Sequence, residues 1–403
     1  TSSEGKPRQI LWKIYSKKSL LCAGATERGI SFGNNDRPGI LLSSALRSYV
    51  NRWAVSPGKN IAIFTNNSDG WQTARVLKEK GCNLIAVIDS RNDASEQLNG
   101  VPIFKGREII NTTGNNVIQS IQLNDGTKIK IDCLGISGGW NPNIHLTCHQ
   151  RGRPKWDKKN ICFVPDSIPV GMEVAGSANG TFALAEILQE SIEKTKSISM
   201  DLGFRVTKTK PVIASSEHLD IKPLWHVEKS KGRSWIDMQN DVTTKDIYQS
   251  HLEGFKSVEH LKRYTTLGMA TDQGKNSNVL GLAIMAKIQN KSIPEVGTTI
   301  FRPPFTPIPI GALAGRARGK DFRPYRLTPS HKWAQESSAV FVETGNWLRA
   351  QWFPKEGETH WRQSVNREVL GTRDSVGICD VTTLGKIDIK GRDSGEFLNR
   401  IYA

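Results

Sequence analysis

The apolar residues between positions 60 and 89 are grouped in a way that predicts a βαβ unit. Two short apolar runs, Ile61–Phe64 and Leu84–Ile88, stand on either side of a mixed segment, Trp71–Lys80, which Gly81 follows. Continuous apolar runs of this length are typical of buried parallel strands, and a helix normally connects such strands. The sequence therefore predicts a strand, a helix and a second strand, with Asp89 at the end of the second strand.

Two further strand patterns flank this unit. Lys18–Ala25 is an apolar run that ends in small residues, as expected of a buried strand that enters a tight turn. Val117–Ile136 contains two alternating apolar runs around Asn124-Asp125-Gly126, a sequence that favours a hairpin turn. We expect a single strand in the first segment and an antiparallel hairpin over the whole of the second.

Helical periodicity begins after Thr243. Thr243 stands three residues before Asp246, which is the spacing of a capping box. Gly254 is expected to divide the periodic stretch into two helices, with Ser257 capping the second, and a third helix is expected over Asn278–Ile288. One face of the first two helices should carry four apolar residues at helical spacing: Ile247, Phe255, Val258 and Leu261.

Two stretches lack periodicity and are rich in Pro or Lys. Residues 198–233 contain two prolines and scattered lysines, which favours a linker. Residues 294–315 contain five prolines, so an extended crossover is expected. Further along the chain, Ile387 and Ile389 alternate with charged residues, as in a half-buried strand.

Composition limits the classes of protein that fit this chain. It has 403 residues, of which 37% are hydrophobic, so two or three domains are expected. No run of eighteen apolar residues occurs, and a membrane span is not expected.

The net charge of +16 suits either a nucleic-acid-binding protein or a solvated basic surface. Because the Lys and Arg residues are scattered, we expect no nucleic acid and favour a surface that faces an acidic partner subunit. The first residue is Thr1 and the last residues lie within an apolar pattern, so part of a longer polypeptide is expected.

Six cysteines are spread along the chain, at positions 22, 82, 133, 148, 162 and 379. None stands in C-x-x-C spacing, and the adjacent Cys148 and His149 have no second ligand pair, so no metal site is expected. Several of them lie in apolar runs, where a cysteine packs as a small core residue. Free cysteines fit a reducing compartment, and a cytoplasmic location is expected.

Two small-residue turns are candidates for binding a dinucleotide. The first is Ala23-Gly24-Ala25, where small side chains let the backbone approach a ligand. The second precedes a helix expected over Phe182–Ile192, and the N–H groups at such a position bind anions. Its candidate residues are Ala175, Gly176, Ser177, Gly180 and Thr181. The turn at residues 65–70 lacks G-x-G-x-x-G, so the βαβ unit is expected to be a scaffold that has lost its nucleotide, although Asp89 stands where a ribose-binding carboxylate would.

A polar loop from Arg263 to Lys275 is the candidate phosphate site. It contains two glycines, three threonines, an Arg and a Lys, and these groups can surround phosphate oxygens. The candidate residues are Thr265, Thr266, Thr271, Gln273, Gly274 and Lys275. Lys275 is expected to be the main charge partner. The alternative is an ordinary polar loop whose threonines hydrogen-bond their own backbone.

The motifs around this loop resemble those of a known family. The segments DMQNDVTTKDI, which starts at Asp237, and GFKSVEHLKRYTTLGMATDQGK, which starts at Gly254, resemble the α subunits of heterotetrameric sarcosine oxidases, and the resemblance extends over essentially the whole chain. It implies an α/β fold, with a flavoprotein-like Rossmann domain of the two-dinucleotide-binding type, a small helical domain and the start of an aminomethyltransferase-like folate-binding domain. The helical domain resembles one that holds an iron–sulfur cluster in relatives, but here it has no cysteine, and no cluster is expected. The implied divisions are 1–197 for the partial FAD/NAD-binding-like domain, 198–233 for the linker, 234–315 for the helical domain with its crossover, and 316–403 for the folate-binding part.

The same resemblance implies a function for the whole complex. By resemblance, the enzyme oxidises sarcosine to glycine, forms hydrogen peroxide and passes a one-carbon unit to tetrahydrofolate. It implies NAD at the two small-residue turns, FMN beside the Lys275 loop at the boundary with a β subunit, FAD in that β subunit, and γ and δ subunits as further partners. No catalytic residue is expected in this chain, and the chain alone should be inactive because the substrate site lies in another subunit. The alternatives are a related complex that oxidises another secondary-amine or N-methyl amino acid, or a folate-dependent aminomethyltransferase scaffold.

Overall fold

The computed structural model describes residues 9–207, 212–215, 217, 219–314, 317 and 319–402. The chain divides into one unit within Lys13–Pro307 and another that includes the described residues from Ile308 onward. Parts of the predicted linker, at 208–211, 216 and 218, and the predicted domain boundary at 315 and 316 lie outside the described residues. No helix in the described ranges has the length and apolar character needed to cross a membrane.

The first unit begins with twelve described elements, of which only two are helices. Their order is β1 (Ser19–Leu21), β2 (Ala25–Glu27), β3 (Ile40–Leu42), α1 (Ser43–Trp53), β4 (Ile61–Thr65), α2 (Ser68–Glu79), β5 (Leu84–Asp89), β6 (Ile103–Lys105), β7 (Ile109–Thr113), β8 (Ser120–Leu123), β9 (Lys128–Lys130) and β10 (Cys133–Ser137). It continues with β11 (Trp140–Pro142), α3 (His145–His149), β12 (Pro154–Asp157), β13 (Cys162–Pro165), β14 (Met172–Val174), α4 (Leu184–Asp201), β15 (Trp235–Asp237), β16 (Val242–Thr243), α5 (Thr244–Leu252), α6 (Val258–Thr265), α7 (Asn278–Ile288) and α8 (Ile293–Val296). A short 3-10 helix, Gly176–Asn179, lies between β14 and α4.

A five-stranded parallel sheet, in the order β3-β10-β4-β5-β6, forms the centre of this unit. Side chains of a strand alternate between its two faces. Ile63 accordingly packs with Leu46 and Trp71 of α1 and α2. Its neighbour Phe64 packs on the other side with Ile121 and other residues of the antiparallel sheet β7-β8-β9. The predicted βαβ unit is confirmed as β4-α2-β5, and burial on both faces is the reason why its strands are continuously apolar.

The predicted hairpin is correct only in its first part. β8 and β9 pair antiparallel around the predicted turn, with Ile121 opposite Ile129. The predicted second strand does not continue to Ile136, because Cys133–Ser137 separates as β10 and pairs in parallel with β3 and β4. All five residues of β10 are buried, which a central parallel strand requires and the edge of a hairpin does not.

Residues 198–233 do not form a free linker. Val227 is fully buried in the core that contains Phe64. Ile221 forms an isolated β-bridge with Asn67 at the edge of the central sheet. The linker prediction is therefore wrong for residues 219–227, because a few apolar residues among the lysines are sufficient to anchor this segment on the sheet.

The helical part of this unit follows the predicted order. Thr243 and Asp246 form the predicted capping box of α5, and the Ser257 hydroxyl oxygen accepts a hydrogen bond from an N–H group in the first turn of α6. α7 has the predicted bounds and is apolar and buried on nearly all sides. Three of the four residues predicted on one face, Ile247, Val258 and Leu261, lie in one core with α7. The crossover predicted over 294–315 is extended only from 297 to 309, because residues 294–296 belong to α8 and Ile310–Ala314 forms a short helix.

The described residues from Ile308 onward contain α9 (Ile310–Ala314), β17 (Arg326–Leu327), α10 (His331–Glu336), β18 (Val340–Thr344), β19 (Trp347–Trp352), α11 (Trp361–Asp374) and α12 (Ser394–Ile401). The three strands form one sheet in the order β17-β19-β18. The strand predicted at Ile387 and Ile389 is not formed, and the Ile387 side chain is 86% exposed. An alternating pattern forms a stable strand only beside a partner, and none of the described strands pairs with this segment.

Candidate functional site

The carboxyl edge of the central sheet, where a dinucleotide would meet α2, is occupied by the chain itself. Asn67 caps α2, because its Oδ1 accepts hydrogen bonds from the N–H groups of Asp69 at 2.9 Å and Gly70 at 3.3 Å. The Ser68 N–H group donates to the Asp220 carbonyl oxygen at 2.9 Å. The N–H groups that would bind a phosphate at this helix are therefore already engaged.

Asp89, at the end of β5, is engaged as well. It is fully buried, and its carboxylate accepts hydrogen bonds from Trp71 Nε1 at 2.7 Å and Arg91 Nη2 at 2.8 Å. The buried Arg91 also pairs with Glu96 and Asp220. A bound ribose would need this carboxylate. These contacts support the prediction that the βαβ unit is a scaffold without a nucleotide.

The two predicted small-residue turns lie at the same edge of the fold. β1 and β14 pair in parallel, with Leu21 opposite Val174, so the turns follow neighbouring strand ends. Ala25 and Ser177, one from each turn, line a cavity of about 240 Å³. The rest of the lining is mixed. Its polar residues include Asn67, Asp69, Gln72, Asn160 and Glu217, and its apolar residues include Trp140, Phe182, Leu219 and Ile221. Amides and carboxylates bind sugar hydroxyls, so the cavity fits the ribose part of a nucleotide better than a phosphate.

The other predicted residues of these turns have contacts within the chain. The Gly176 N–H group donates to the Glu190 carboxylate of α4 at 2.8 Å, and the Thr181 N–H group donates to the Gly176 carbonyl oxygen at 3.2 Å. Because α4 begins at Leu184 rather than at Phe182, the first N–H groups of the helix do not directly follow the turn. The cavity lining does not include these predicted residues: Ala23, Gly24, Ala175, Gly176, Gly180 and Thr181.

In the candidate phosphate loop, two threonines are bonded to the local backbone. The Thr265 hydroxyl donates to the Leu261 carbonyl oxygen at 2.7 Å, and the Thr266 hydroxyl donates to the Thr265 carbonyl oxygen at 2.6 Å. These bonds are the ones expected from an ordinary polar loop. Thr271, in contrast, is exposed and Gly274 is buried. The first half of the loop is therefore held by its own backbone, and its hydroxyl protons are not directed at a ligand.

The second half of the loop contacts the Pro-rich segment. Gln273 Nε2 donates to the carbonyl oxygens of Arg302 at 2.8 Å and Pro304 at 3.1 Å, and Gln273 Oε1 accepts from the Arg302 N–H group at 2.8 Å. Lys275 Nζ lies 4.1 Å from the centre of the Phe305 ring, a cation–π contact. Among the described residues, no carboxylate pairs with the Lys275 ammonium. The charge of Lys275 is therefore available to an anionic ligand.

Two histidines of α3 lie near the Phe305 ring that Lys275 contacts. The His145 ring stacks on Phe305, with centroids 3.8 Å apart and planes 2° apart, and the His149 ring lies 5.8 Å from that of His145. Within the described chain, His145 Nδ1 and His149 Nε2 are buried without a hydrogen-bond partner. Burial lowers the pKa of His145 to about 4, and the charges of His149 and Lys275 add to this effect. Both imidazoles are therefore uncharged at neutral pH, so Lys275 supplies the positive charge at this point, and the imidazole N–H groups can donate hydrogen bonds to an anionic ligand.

The lowered pKa of His145 predicts a pH dependence of stability. Because the folded pKa of about 4 lies below the ordinary value of 6.5, the stability contribution is present above pH 6.5 and is lost as the pH falls towards 4. His145→Gln should reduce the slope of unfolding free energy against pH in this window by up to about 1.4 kcal/mol per pH unit, the effect of one proton. Urea unfolding at several pH values measures the slope, and identical slopes in both proteins would exclude His145 as the titrating group.

Several residues of the site are not identified by the sequence pattern. Asn141 and Phe305 contact Lys275, and His145 stacks on Phe305, only because β11, α3 and the Pro-rich segment converge there. One usable signal exists, since Asn141 and Asn143 flank a proline, and an asparagine amide can donate and accept at the same time. Stacking of His145 on Phe305 has no sequence signal, because the two residues are far apart in the chain.

Comparison with known proteins agrees with the order of these structural parts. Residues 231–316 match the sarcosine oxidase A3 domain, and residues 330–403 match the GCVT N-terminal domain. The sarcosine oxidase subunit alpha of Rhizobium meliloti (strain 1021) is 44% identical over 98% of this chain and 41% of its own length. The corresponding subunit of Corynebacterium sp. (strain P-1) is 36% identical over 100% of this chain and 44% of its own length. The chain thus spans less than half the length of these relatives.

A solved structure supports the same fold. The L-proline dehydrogenase from P. horikoshii covers 74% of this chain, which in turn covers 58% of that protein, with a TM-score of 0.59 and 19% identity. At this identity the likeness concerns the fold alone, and it agrees with the predicted flavoprotein-like α/β architecture. The sequence identity to the named subunits extends along both units of the chain. The chain is therefore a homologue, over its whole given length, of the sarcosine oxidase α subunits and carries their A3 domain.

Proposed function

We propose that this chain forms part of an α subunit of a sarcosine oxidase complex. The complex oxidises sarcosine to glycine with formation of hydrogen peroxide, and it transfers the released one-carbon unit to tetrahydrofolate. The observation that carries this proposal is the 44% identity along nearly the whole chain to a sarcosine oxidase α subunit. The match of residues 330–403 to a GCVT N-terminal domain supports the folate step.

The flavin proposed at this chain is FMN, with its phosphate at the Lys275 loop. When bound, the flavin supplies the electron-transfer chemistry, and the chain supplies its position and charge environment. The proposed residues are Thr265, Thr266, Thr271, Gln273, Gly274 and Lys275. Support comes from the unpaired Lys275 ammonium and from the buried, unpartnered nitrogens of His145 and His149 beside it. Thr265 and Thr266 contribute backbone groups, because their hydroxyl protons are bonded to carbonyl oxygens.

NAD is proposed at the two small-residue turns. The proposed residues are Ala23, Gly24, Ala25, Ala175, Gly176, Ser177, Gly180 and Thr181. Support comes from the parallel pairing of β1 with β14 and from the cavity that Ala25 and Ser177 share, whose lining includes amide and carboxylate side chains. Since the Gly176 N–H group is bonded to Glu190, we place a ribose rather than the pyrophosphate at this cavity.

The proposed complex contains a β subunit with FAD, and γ and δ subunits. We propose the functional divisions 1–197, 234–315 and 316–403, with residues 219–227 packed on the first of them. The alternative function is a complex that oxidises another secondary-amine or N-methyl amino acid. Reduction of the bound flavin by sarcosine, N,N-dimethylglycine and proline, each measured by loss of visible absorbance, separates these functions. A full-length complex without any flavin would support a folate-dependent scaffold.

The flavin site predicts the effect of Lys275→Met in the full-length complex. A hydrogen bond to a charged group contributes about 1.5–3 kcal/mol, so FMN should bind roughly ten- to hundred-fold more weakly. FAD in the partner subunit should remain bound and should still be reduced by substrate. The measurement is flavin content after denaturation, with FMN and FAD separated by chromatography. Lys256→Met, which removes an exposed lysine from the neighbouring α5–α6 connection, is the matched control. Normal FMN content in Lys275→Met would mean that this loop is a structural connector.

A further inference from the structure

A single short segment, Trp140–Asn143, lies between the two proposed cofactor sites. Its strand β11 pairs antiparallel with β2, with Pro142 opposite Ala25 and Asn141 opposite Thr26. Ala25 belongs to the proposed NAD site, so one side of this segment is joined directly to that site. The side chains of Asn141 and Asn143 reach further, in different directions.

Asn143 holds the first small-residue turn. Its N–H group donates to the Gly24 carbonyl oxygen, and its Nδ2 donates to the Ala23 carbonyl oxygen, both at 2.9 Å. Its Oδ1 accepts a hydrogen bond from the Thr26 hydroxyl, also at 2.9 Å. Gly24 has a positive φ of 70°, a conformation that glycine adopts without strain. Asn143 thus donates two hydrogen bonds to this turn and accepts one from the residue that follows it, and these three bonds hold the turn in shape.

Asn141 holds the other site. Its Oδ1 accepts a hydrogen bond from Arg28 Nη1 at 2.9 Å, and its Nδ2 donates to the Lys275 carbonyl oxygen at 3.0 Å. The amide therefore links the buried Arg28 to the backbone of the candidate phosphate loop. A hydrogen bond from a cation polarises the amide and strengthens the bond that the amide donates at its other end.

Arg28, at the start of this chain of hydrogen bonds, is a buried cation without a carboxylate partner among the described residues. It is fully buried, and its other polar contacts are the carbonyl oxygens of Gly138 and Trp140, with the Trp225 ring 4.9 Å from its guanidinium carbon. Nη2 has no hydrogen-bond partner among the described residues. Burial lowers the pKa of Arg28 to about 10, and it remains charged at neutral pH. A buried cation without a carboxylate partner adds positive potential in a low-dielectric region, next to the loop through Asn141.

We infer that Asn141 is a positioning residue, which holds the Lys275 loop in its ligand-binding shape through the chain of hydrogen bonds from Arg28 to the Lys275 carbonyl oxygen. Asn143 has the equivalent role for the Ala23–Ala25 turn, and β11 connects the two. The inference rests on the proposed FMN and NAD sites. It deepens them by assigning each site a separate asparagine on the same short segment.

The two asparagines allow a matched pair of variants. Asn141→Asp keeps the size and the acceptor for Arg28 but replaces the N–H donor to Lys275 with an oxygen. Asn143→Asp makes the same change at the donor to Ala23 and keeps the acceptor for Thr26. In the purified full-length complex, Asn141→Asp should weaken FMN binding about tenfold and leave the NAD content unchanged. Asn143→Asp should show the reverse pattern, with low NAD content and normal FMN content.

FMN and NAD are released by denaturation and measured by chromatography in the same sample, and the melting temperature is recorded for each variant. Loss of one cofactor without the other cannot come from general unfolding, which would remove both. Normal FMN content in Asn141→Asp, or equal loss of both cofactors in both variants, would overturn the positioning role. Lys275→Met, prepared in parallel, distinguishes failure of the Asn141 link from failure of the proposed FMN site. If Lys275→Met loses FMN and Asn141→Asp does not, the link fails and the site remains; if neither loses FMN, the proposed site itself fails.

Discussion

Asp89→Ala is expected to lower the free energy of unfolding by about 3–5 kcal/mol, the cost of removing one partner from a buried ion pair. Both side chains of the pair are buried, with Asp89 at 0% and Arg91 at 1% exposure. Asp89 accepts hydrogen bonds from Arg91 and from Trp71 Nε1, so the alanine leaves a buried guanidinium and a buried indole N–H group without their main acceptor. Chemical unfolding in urea, followed by tryptophan fluorescence, measures the loss.

An exposed pair nearby provides the control for this variant. Asp93 pairs with Lys222, and the two side chains are 65% and 50% exposed. Water and salt screen an exposed ion pair, so the free energy of unfolding of Asp93→Ala should be close to that of the parent protein. If both variants lose the same small amount of stability, Glu96 and Asp220 alone are sufficient to hold Arg91, and the importance given to Asp89 is wrong.

Gly138→Ala is expected to cost about 3 kcal/mol, the upper end for overpacked interior positions, and to lower the content of both proposed cofactors. A Cβ atom at Gly138 would lie 2.2 Å from the Gly29 carbonyl oxygen and 2.9 Å from that of Arg28. Both neighbours are backbone atoms, so a side-chain rotation cannot relieve the contact. The segment that carries Asn141 and Asn143 would have to move away from β2, and with it the anchors of both sites.

The facing glycine is the matched control. A Cβ atom at Gly29 would meet only Leu42 Cδ2, at 3.7 Å, which is an ordinary contact distance. Gly29→Ala should therefore change the free energy of unfolding by less than about 1 kcal/mol, as a substitution without a clash does. Urea unfolding and cofactor content are measured for both variants. Equal stability of the two would show that the β2–β11 region can widen without cost, which would contradict the close approach as a determinant of the site.

The closed edge of the βαβ unit limits where a nucleotide can bind. The carboxyl edge of a parallel sheet is the usual place for a nucleotide. Here Asn67 takes the N–H groups of α2, and Asp89 is bonded to Arg91 and Trp71. Asp220 closes the edge from the segment that was expected to be a linker. The cavity proposed for NAD lies beside this edge, and the candidate phosphate loop that carries Lys275 belongs to the helical part of the unit.

Some parts of the fold follow from residues close together in the sequence. The βαβ unit, the α5 capping box, the Ser257 cap and the bounds of α7 were all predictable, because each depends on periodicity or capping within a few residues. The two small-residue turns were each recognised as candidates from local composition. Their common location depends on the parallel pairing of β1 with β14, which lie far apart in the chain.

Other parts depend on contacts between residues distant in the sequence. The segment after Ile131 has the sequence pattern of a hairpin strand. In the fold it lies between β3 and β4 as β10 and pairs in parallel with both. Ile387 and Ile389 alternate correctly, but the described strands give them no partner. In the candidate phosphate loop, the residue types left open whether the threonines would face a ligand or their own backbone, and the fold of α6 directs Thr265 and Thr266 to the backbone.

The amino-acid sequence by itself determined the βαβ unit, the helix caps and the loop that carries Lys275, because hydrophobic periodicity, caps and turn residues act over short distances. The α/β class and the order of the structural parts followed from the resemblance to the sarcosine oxidase α subunits. Only the tertiary structure decided which groups surround that loop. Arg28, Asn141, His145 and Phe305 reach the loop from separate parts of the chain, through strand pairing and packing that no local pattern encodes. The physical reason is that a buried charge or an unpaired imidazole becomes chemically significant only through its three-dimensional neighbours, which set its solvation and its hydrogen bonds.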